Sequence, residues 1–319
     1  MNVKKTKFRR ILIVAAAVVM VLGMSSVSFA ATGNGYYIVG DPTSTSSPIT
    51  VKVIIESKQY SETDTTSISE TLNVPVSTAS SPGDGYTVRD AVLAITENQS
   101  TYGIKAYDSN GNQIDSSDTY IYSFEKNGKV YEPALPMSGY ELDGWTFRVN
   151  GKLPLSSTNG DPYSGGPLGT EIHKTPISNG DIIHFYWDYP YNESASTYYS
   201  ADYVTADMSY ANSSLSIQLK KSFSYFDNNY YWHISDFENL SGGNTGTYNV
   251  TVYDETGNFV KAGTISKSGF GTISNCNLQS GKTYYVRVDT TDYRSVDSYD
   301  DITWKILKST MAYEKITVQ

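Results

Sequence analysis

From residue 49 the chain alternates. Ile49, Val51, Val53 and Ile55 fall on one side of an extended segment, with Thr50 and Lys52 on the other, the period-two pattern of a strand with one buried face. A weaker strand fits residues 69–76, before the breaker cluster Ser80-Ser81-Pro82-Gly83-Asp84-Gly85. The period then changes. Val88, Ala91, Val92 and Ile95 recur at helical spacing behind Thr87, a good N-cap with Asp90 three residues on. Past this helix, Asn-Gly pairs at 110–111, 127–128, 150–151, 159–160 and 179–180 punctuate runs that alternate again. Asn-Gly tolerates positive φ at both turn centres and so marks hairpins. Tyr120, Tyr122 and Phe124 precede one such turn, Trp145, Phe147 and Val149 another, and Ile183, Phe185 and Trp187 follow a third. The pattern predicts an α+β unit over residues 49–189, with one helix on a mostly antiparallel sheet.

Residues 31–48 are rich in Ser, Thr, Gly and Pro and read as a flexible lead-in. Residues 190–206 lack apolar periodicity and read as a tyrosine-rich linker. From 207 to 319 the pattern is strands only. Leu215, Ile217 and Leu219 alternate, as do Tyr230, Trp232 and Ile234; Tyr248, Val250 and Val252; Tyr284, Val286 and Val288; and Ile302, Trp304 and Ile306. With residues 259–265, 270–274 and 312–318, eight candidate strands predict an all-β sandwich of immunoglobulin-like type without a disulfide. The chain is expected to be mainly β.

Residues 1–30 carry Lys4, Lys5, Lys7, Arg9 and Arg10, an apolar run over 11–24, and Ser28-Phe29-Ala30. This is the layout of a secretory signal peptide cleaved after Ala30, and the apolar run is shorter than the roughly 20 residues of a spanning helix. Export changes the meaning of the charge. The full chain holds 24 bases and 33 acids, and loss of the five leader bases leaves 19 against 33, a net charge of −14. Such a surface repels polyphosphates and anionic headgroups and excludes nucleic acid as a partner. One cysteine, Cys276, excludes an internal disulfide framework and any Cys-rich metal site. A secreted or surface-associated protein is expected.

Four blocks carry a family resemblance: the run at 49–55; Tyr86-Thr-Val-Arg-Asp-Ala-Val-Leu93; Asp143-Gly-Trp-Thr-Phe-Arg-Val-Asn-Gly-Lys152; and Ile177-Ser-Asn-Gly-Asp-Ile-Ile-His-Phe-Tyr-Trp187. In this order they resemble the transcobalamin-like C-terminal domain, a module of exported bacterial proteins. The resemblance implies a β-grasp-type fold for residues 49–189. In vitamin B12 carriers the related module closes over one face of the corrin while a helical barrel holds the rest. This chain has no such barrel, so corrinoid binding does not carry over. The second unit resembles bacterial surface immunoglobulin-like modules in general pattern only.

Chemistry is sparse. The three histidines are His173, in a loop, and His184 and His233, on strand faces opposite the large apolar residues. No nucleophile motif or paired metal-ligand spacing accompanies them, so polar-face or loop roles are expected. The stretches at 108–115 and 254–258 superficially resemble calcium loops but read more economically as Asx-type turns. Asp289, Asp292, Asp297, Asp300 and Asp301 read as a solvated edge. Tyrosine is abundant, 28 of 319 residues, and suits recognition surfaces as well as half-exposed strands. Residues 153–180 form a long loop of the kind that often binds. The candidate contact residues are Trp145, Tyr163, His173, Tyr186, Trp187 and Tyr189.

The resulting expectation is an exported, non-enzymatic binding protein with no cofactor, whose first module contacts a small ligand, a glycan or a surface protein. The alternative is a structural or adhesive surface component. A hydrolase ranks last.

Overall fold

The computed structural model describes residues 26–27, 34–40, 47–58, 67–80, 85–131, 144–157, 168–188, 191–194, 197–226, 232–241, 245–297 and 303–319. The protein is mainly β, with two helices among the described residues. In the first unit the strands β1 (Ile49–Lys58) and β2 (Ser67–Val76) form a hairpin, followed by helix α1 (Val88–Glu97). Strands β3 (Gly144–Val149) and β4 (Ile182–Asp188) complete the sheet in the order β2-β1-β4-β3. β4 runs parallel to β1, Ile183 opposite Val53, and antiparallel to β3. The apolar face of β1 packs with Phe185 and with Val88, Ala91, Val92 and Ile95 of the helix in one buried core. Those are the residues the two periodicities singled out.

Local signals act where they were expected. The Asp90 carboxylate accepts hydrogen bonds from the Thr87 backbone N (2.7 Å) and Thr87 Oγ1 (2.9 Å), and its other oxygen accepts the Ser80 N (2.7 Å). Asn150 and Gly151 both take positive φ, 49° and 80°, in a two-residue turn closed by reciprocal Val149–Lys152 backbone bonds. Asn127 and Gly128 do the same at 53° and 81°.

The second unit is two packed sheets. Strands β5 (Tyr203–Ala211) and β6 (Ser214–Ser222) pair in one. The other contains β7 (Thr247–Asp254), β8 (Phe259–Ser266), β10 (Thr283–Val288) and β12 (Ala312–Thr317) in the order β8-β7-β10-β12. Between β8 and β10 lies β9 (Phe270–Ile273), which crosses to pair with β6; between β10 and β12 lies β11 (Thr303–Ser309), hairpinned to Asp292–Asp297. Val204, Ala206, Leu215, Ile217, Val250, Val252, Val286 and Ile316 fill the space between the sheets. Cys276 is buried among them. Ser26–Val27, within the segment expected to be a signal peptide, pairs with Ser209 and Tyr210 on the outer edge of β5.

The expected linker over 190–206 is corrected in its described parts. Tyr191–Ser194 and Thr197–Tyr199 are strands, and β5 begins at Tyr203. Tyr203, Val204, Thr205 and Ala206 are all buried. Val204 and Ala206 enter the sandwich core while Tyr203 packs with Tyr186 of the first unit. A strand buried on both sides shows no alternation, so the pattern hid it.

Candidate functional site

Of the expected contact residues, Tyr163 and Tyr189 lie outside the described residues. Trp145 packs edge-on against Phe124 (centroids 4.8 Å apart) and Trp187 (5.7 Å), and its Nε1 donates to the Tyr131 carbonyl at 3.2 Å. Trp187 and Tyr186 are buried. Tyr186 and Trp187 are therefore packing elements of β4, which is buried on both faces, while Trp145, on β3, is half-buried and packs against the core of the first unit. The segment after Leu168 is also structural. Its Thr175 and Ile172 carbonyls accept the Val88 and Arg89 backbone N–H groups at 2.9 and 3.1 Å, satisfying donors that the first helical turn leaves free. His173 stands on this ledge, half-buried, with Nδ1 3.4 Å from Glu171, whose carboxylate also pairs with Lys174 at 2.7 Å. Burial pushes the His173 pKa down, against the opposing pull of Glu171.

His184 has a different fate from the expected polar-face position. The second unit covers the face of β1 and β4 opposite the helix, burying Ile54 and Ile182 against Tyr285, Met311 and Tyr313. Within this junction His184 Nε2 lies 3.0 Å from Glu56, both side chains almost wholly buried. Glu56 also accepts the Met311 backbone N at 3.1 Å and the Thr291 hydroxyl, both from the second unit. Beside them Arg148 is buried, donating to the Gly35 carbonyl (3.0 Å) and the Tyr186 hydroxyl (3.2 Å), with its guanidinium 4.5 Å from the Tyr203 ring centroid. Lys52 covers the Tyr285 ring at 4.3 Å, and burial lowers its pKa against the pull of Asp254 and Glu255. A histidine–carboxylate pair can serve as a general base only where substrate reaches it. This pair is sealed, and its hydrogen bonds join two domains.

The two possible calcium loops are Asx turns by their hydrogen bonds. Asp108 accepts the Asn110 and Asn112 backbone N–H groups at 2.9 and 2.7 Å, and Asp254 accepts those of Thr256 and Asn258 at 3.0 and 2.8 Å. Bonds from the Asn258 and Thr256 side chains help hold the Asp254 pKa at about 2.

A cleft of about 330 Å³ opens in the second unit next to the junction. Its walls come from β5, β6, β7 and the turns around residues 240, 267, 290 and 309. Three lysines face it: Lys221, 3.4 Å from Asp202; Lys308, 4.0 Å from Asp292; and Lys267, 5.4 Å from the Tyr248 ring centroid. Burial raises the Asp202 pKa, with Lys221 opposing. The floor is rigid. Asp202 is tied at its N–H to Lys308 and at its carbonyl to Thr310, at 2.9 and 3.0 Å. The Ser309 hydroxyl donates to the Thr290 carbonyl at 2.8 Å. Thr291 lines the cleft and bonds Glu56, so cleft and junction share a residue. A second cleft, about 400 Å³, borders the Asp254 turn.

Sequence reasoning missed the cleft because its residues come from seven separate segments. Asp289 and Asp292 were noticed, as part of the acidic edge. Asp289 pairs with Arg287 at 2.6 Å, and both aspartates line the cleft.

No family model, no curated protein and no solved structure matches the chain. Among the described residues, no helix is long and apolar enough to cross a membrane, and no group of three or more His, Cys, Asp or Glu side chains stands ready for a metal ion.

Proposed function

We propose that this chain is an exported, non-enzymatic binding protein that presents the cleft beside its domain junction to a ligand outside the cell. The observation that carries the reading is the cleft itself. It is a concave site within the second unit, with charged donors and acceptors on a hydrogen-bonded floor, the form that small-molecule sites take. The contact surface moves from the first module to the second, and the first becomes the support on which the second is held. The basic leader with its short apolar run supports export. The strand order β2-β1-β4-β3, with the last strand parallel to the first and a helix after the hairpin, supports the β-grasp-type reading and with it the transcobalamin-like resemblance.

The adhesive alternative draws on Tyr120, Phe259 and Phe270, which are each more than half exposed. They lie on separate segments, and singly exposed apolar residues are ordinary on protein surfaces. A ligand that binds the native state raises its melting temperature by mass action. A thermal-shift screen of the full chain against neutral and acidic saccharides, short peptides and corrinoids should therefore give at least one saturable rise. A flat response to all of them, with self-association or cell coating at the same concentrations, contradicts the reading in favour of adhesion.

A further inference from the structure

The geometry points to a neutral saccharide as the occupant of the cleft, an inference that rests on the binding reading above. Donors and acceptors are interleaved around the opening. Lys221, Lys267 and Lys308 can only donate, Asp202 and Asp292 offer carboxylate oxygens, and Asn249 does both. A sugar hydroxyl donates one hydrogen bond and accepts two, so vicinal hydroxyls need such a mixed wall, and charged partners strengthen each bond. Ligands of a single sign fit worse. A phosphate or uronate would meet Asp202 and Asp292 inside the cleft and a chain of net charge −9 outside it. A cation would meet three ammonium groups. An apolar ligand would strip water from all these charges without replacing it.

Size and stiffness agree with the chemistry. A cleft of about 330 Å³ lies at the small end of ligand sites and suits a short stretch of sugar rings. Half-buried Tyr248 lines the same wall, with Lys267 5.4 Å from its ring centroid, and adds an apolar contact for the C–H groups of a sugar. Because the floor is tied by main-chain bonds at Asp202, Asp289 and Thr310, little ordering remains to oppose binding.

The test is isothermal titration of the full chain with short neutral oligosaccharides of glucose, mannose or N-acetylglucosamine. Oligogalacturonates and short neutral peptides run beside them. The expected result is saturable binding of a neutral oligosaccharide that added salt changes by less than about twofold, since screening acts on net charge. Lys308→Ala should weaken it by about tenfold or more, the loss of one charged hydrogen bond. Asn249→Trp should block the cleft by bulk. Both positions are exposed, and unchanged circular dichroism verifies the fold. Binding of peptides or oligogalacturonates alone, lost in the same variants, overturns the saccharide assignment and leaves the binding reading standing. Saccharide binding that both variants retain overturns the cleft as its site. If none of the three classes binds, the inference and the binding reading fall together.

Discussion

Glu314, in β12, keeps a carboxylate out of water, and its surroundings set which protonation state the fold prefers. Burial raises its pKa to about 7, with Asp207 adding to the rise and the Thr205 hydroxyl bond opposing it. The folded-state pKa lies above the ordinary 4.5, so the folded protein favours the protonated acid. The resulting stabilisation is complete below about pH 4.5 and is lost as the pH rises through 7, an effect of up to about 3 kcal/mol. Urea unfolding at pH 5 and pH 8 should show wild type losing that stability relative to Glu314→Gln, whose amide does not titrate. Parallel pH profiles for the two proteins would rule the effect out. Nothing in the sequence marks Glu314, because the residues that bury it are remote in the chain. The same holds for His184: alternation placed it on the face opposite Ile183 and Phe185, but what covers that face is a second domain. Asp108 and Asp254 were legible because their partners lie within four residues.

At the scale of elements, legibility depends on how many faces of a segment are covered. Helix α1 has one apolar stripe and a local cap, and both appear in the sequence as in the structure. Thr87→Ala should cost about 1 kcal/mol, measured as a shift in urea midpoint. Combined with Asp90→Ala the loss should be smaller than the two singles summed, since both remove the bond from Thr87 Oγ1 to Asp90; strict additivity would mean that the two side chains do not act together at the cap. The turn at Asn150-Gly151 was equally plain, since positive φ at two successive residues restricts the choice to such pairs. β5 was missed for the reason already given, and β4 was only half read: Ile183 and Phe185 advertised the helix side, while Ile182, His184 and Tyr186 are buried on the other. The segment 153–180 looked like a binding loop because of its length, and residues 168–177 are among those described within it. Their backbone instead completes the first turn of α1.

At the scale of the whole molecule, one junction decides how the protein behaves. Ile54, Ile182, Tyr285, Met311 and Tyr313 supply its apolar part, and Glu56, His184, Thr291 and Arg148 its polar part. Separating the units would break the Met311 and Thr291 bonds to Glu56 and expose the apolar residues of the junction to water, so both parts oppose separation. Sequence periodicity could not show that the two cores are joined, because each contributes only half of the junction. Differential scanning calorimetry of the full chain tests this joining most directly. The structure predicts one transition whose calorimetric and van't Hoff enthalpies agree, and in Glu56→Ala a lower midpoint with the two units melting apart. Two separate transitions in the unmodified chain, unchanged by Glu56→Ala, would contradict it.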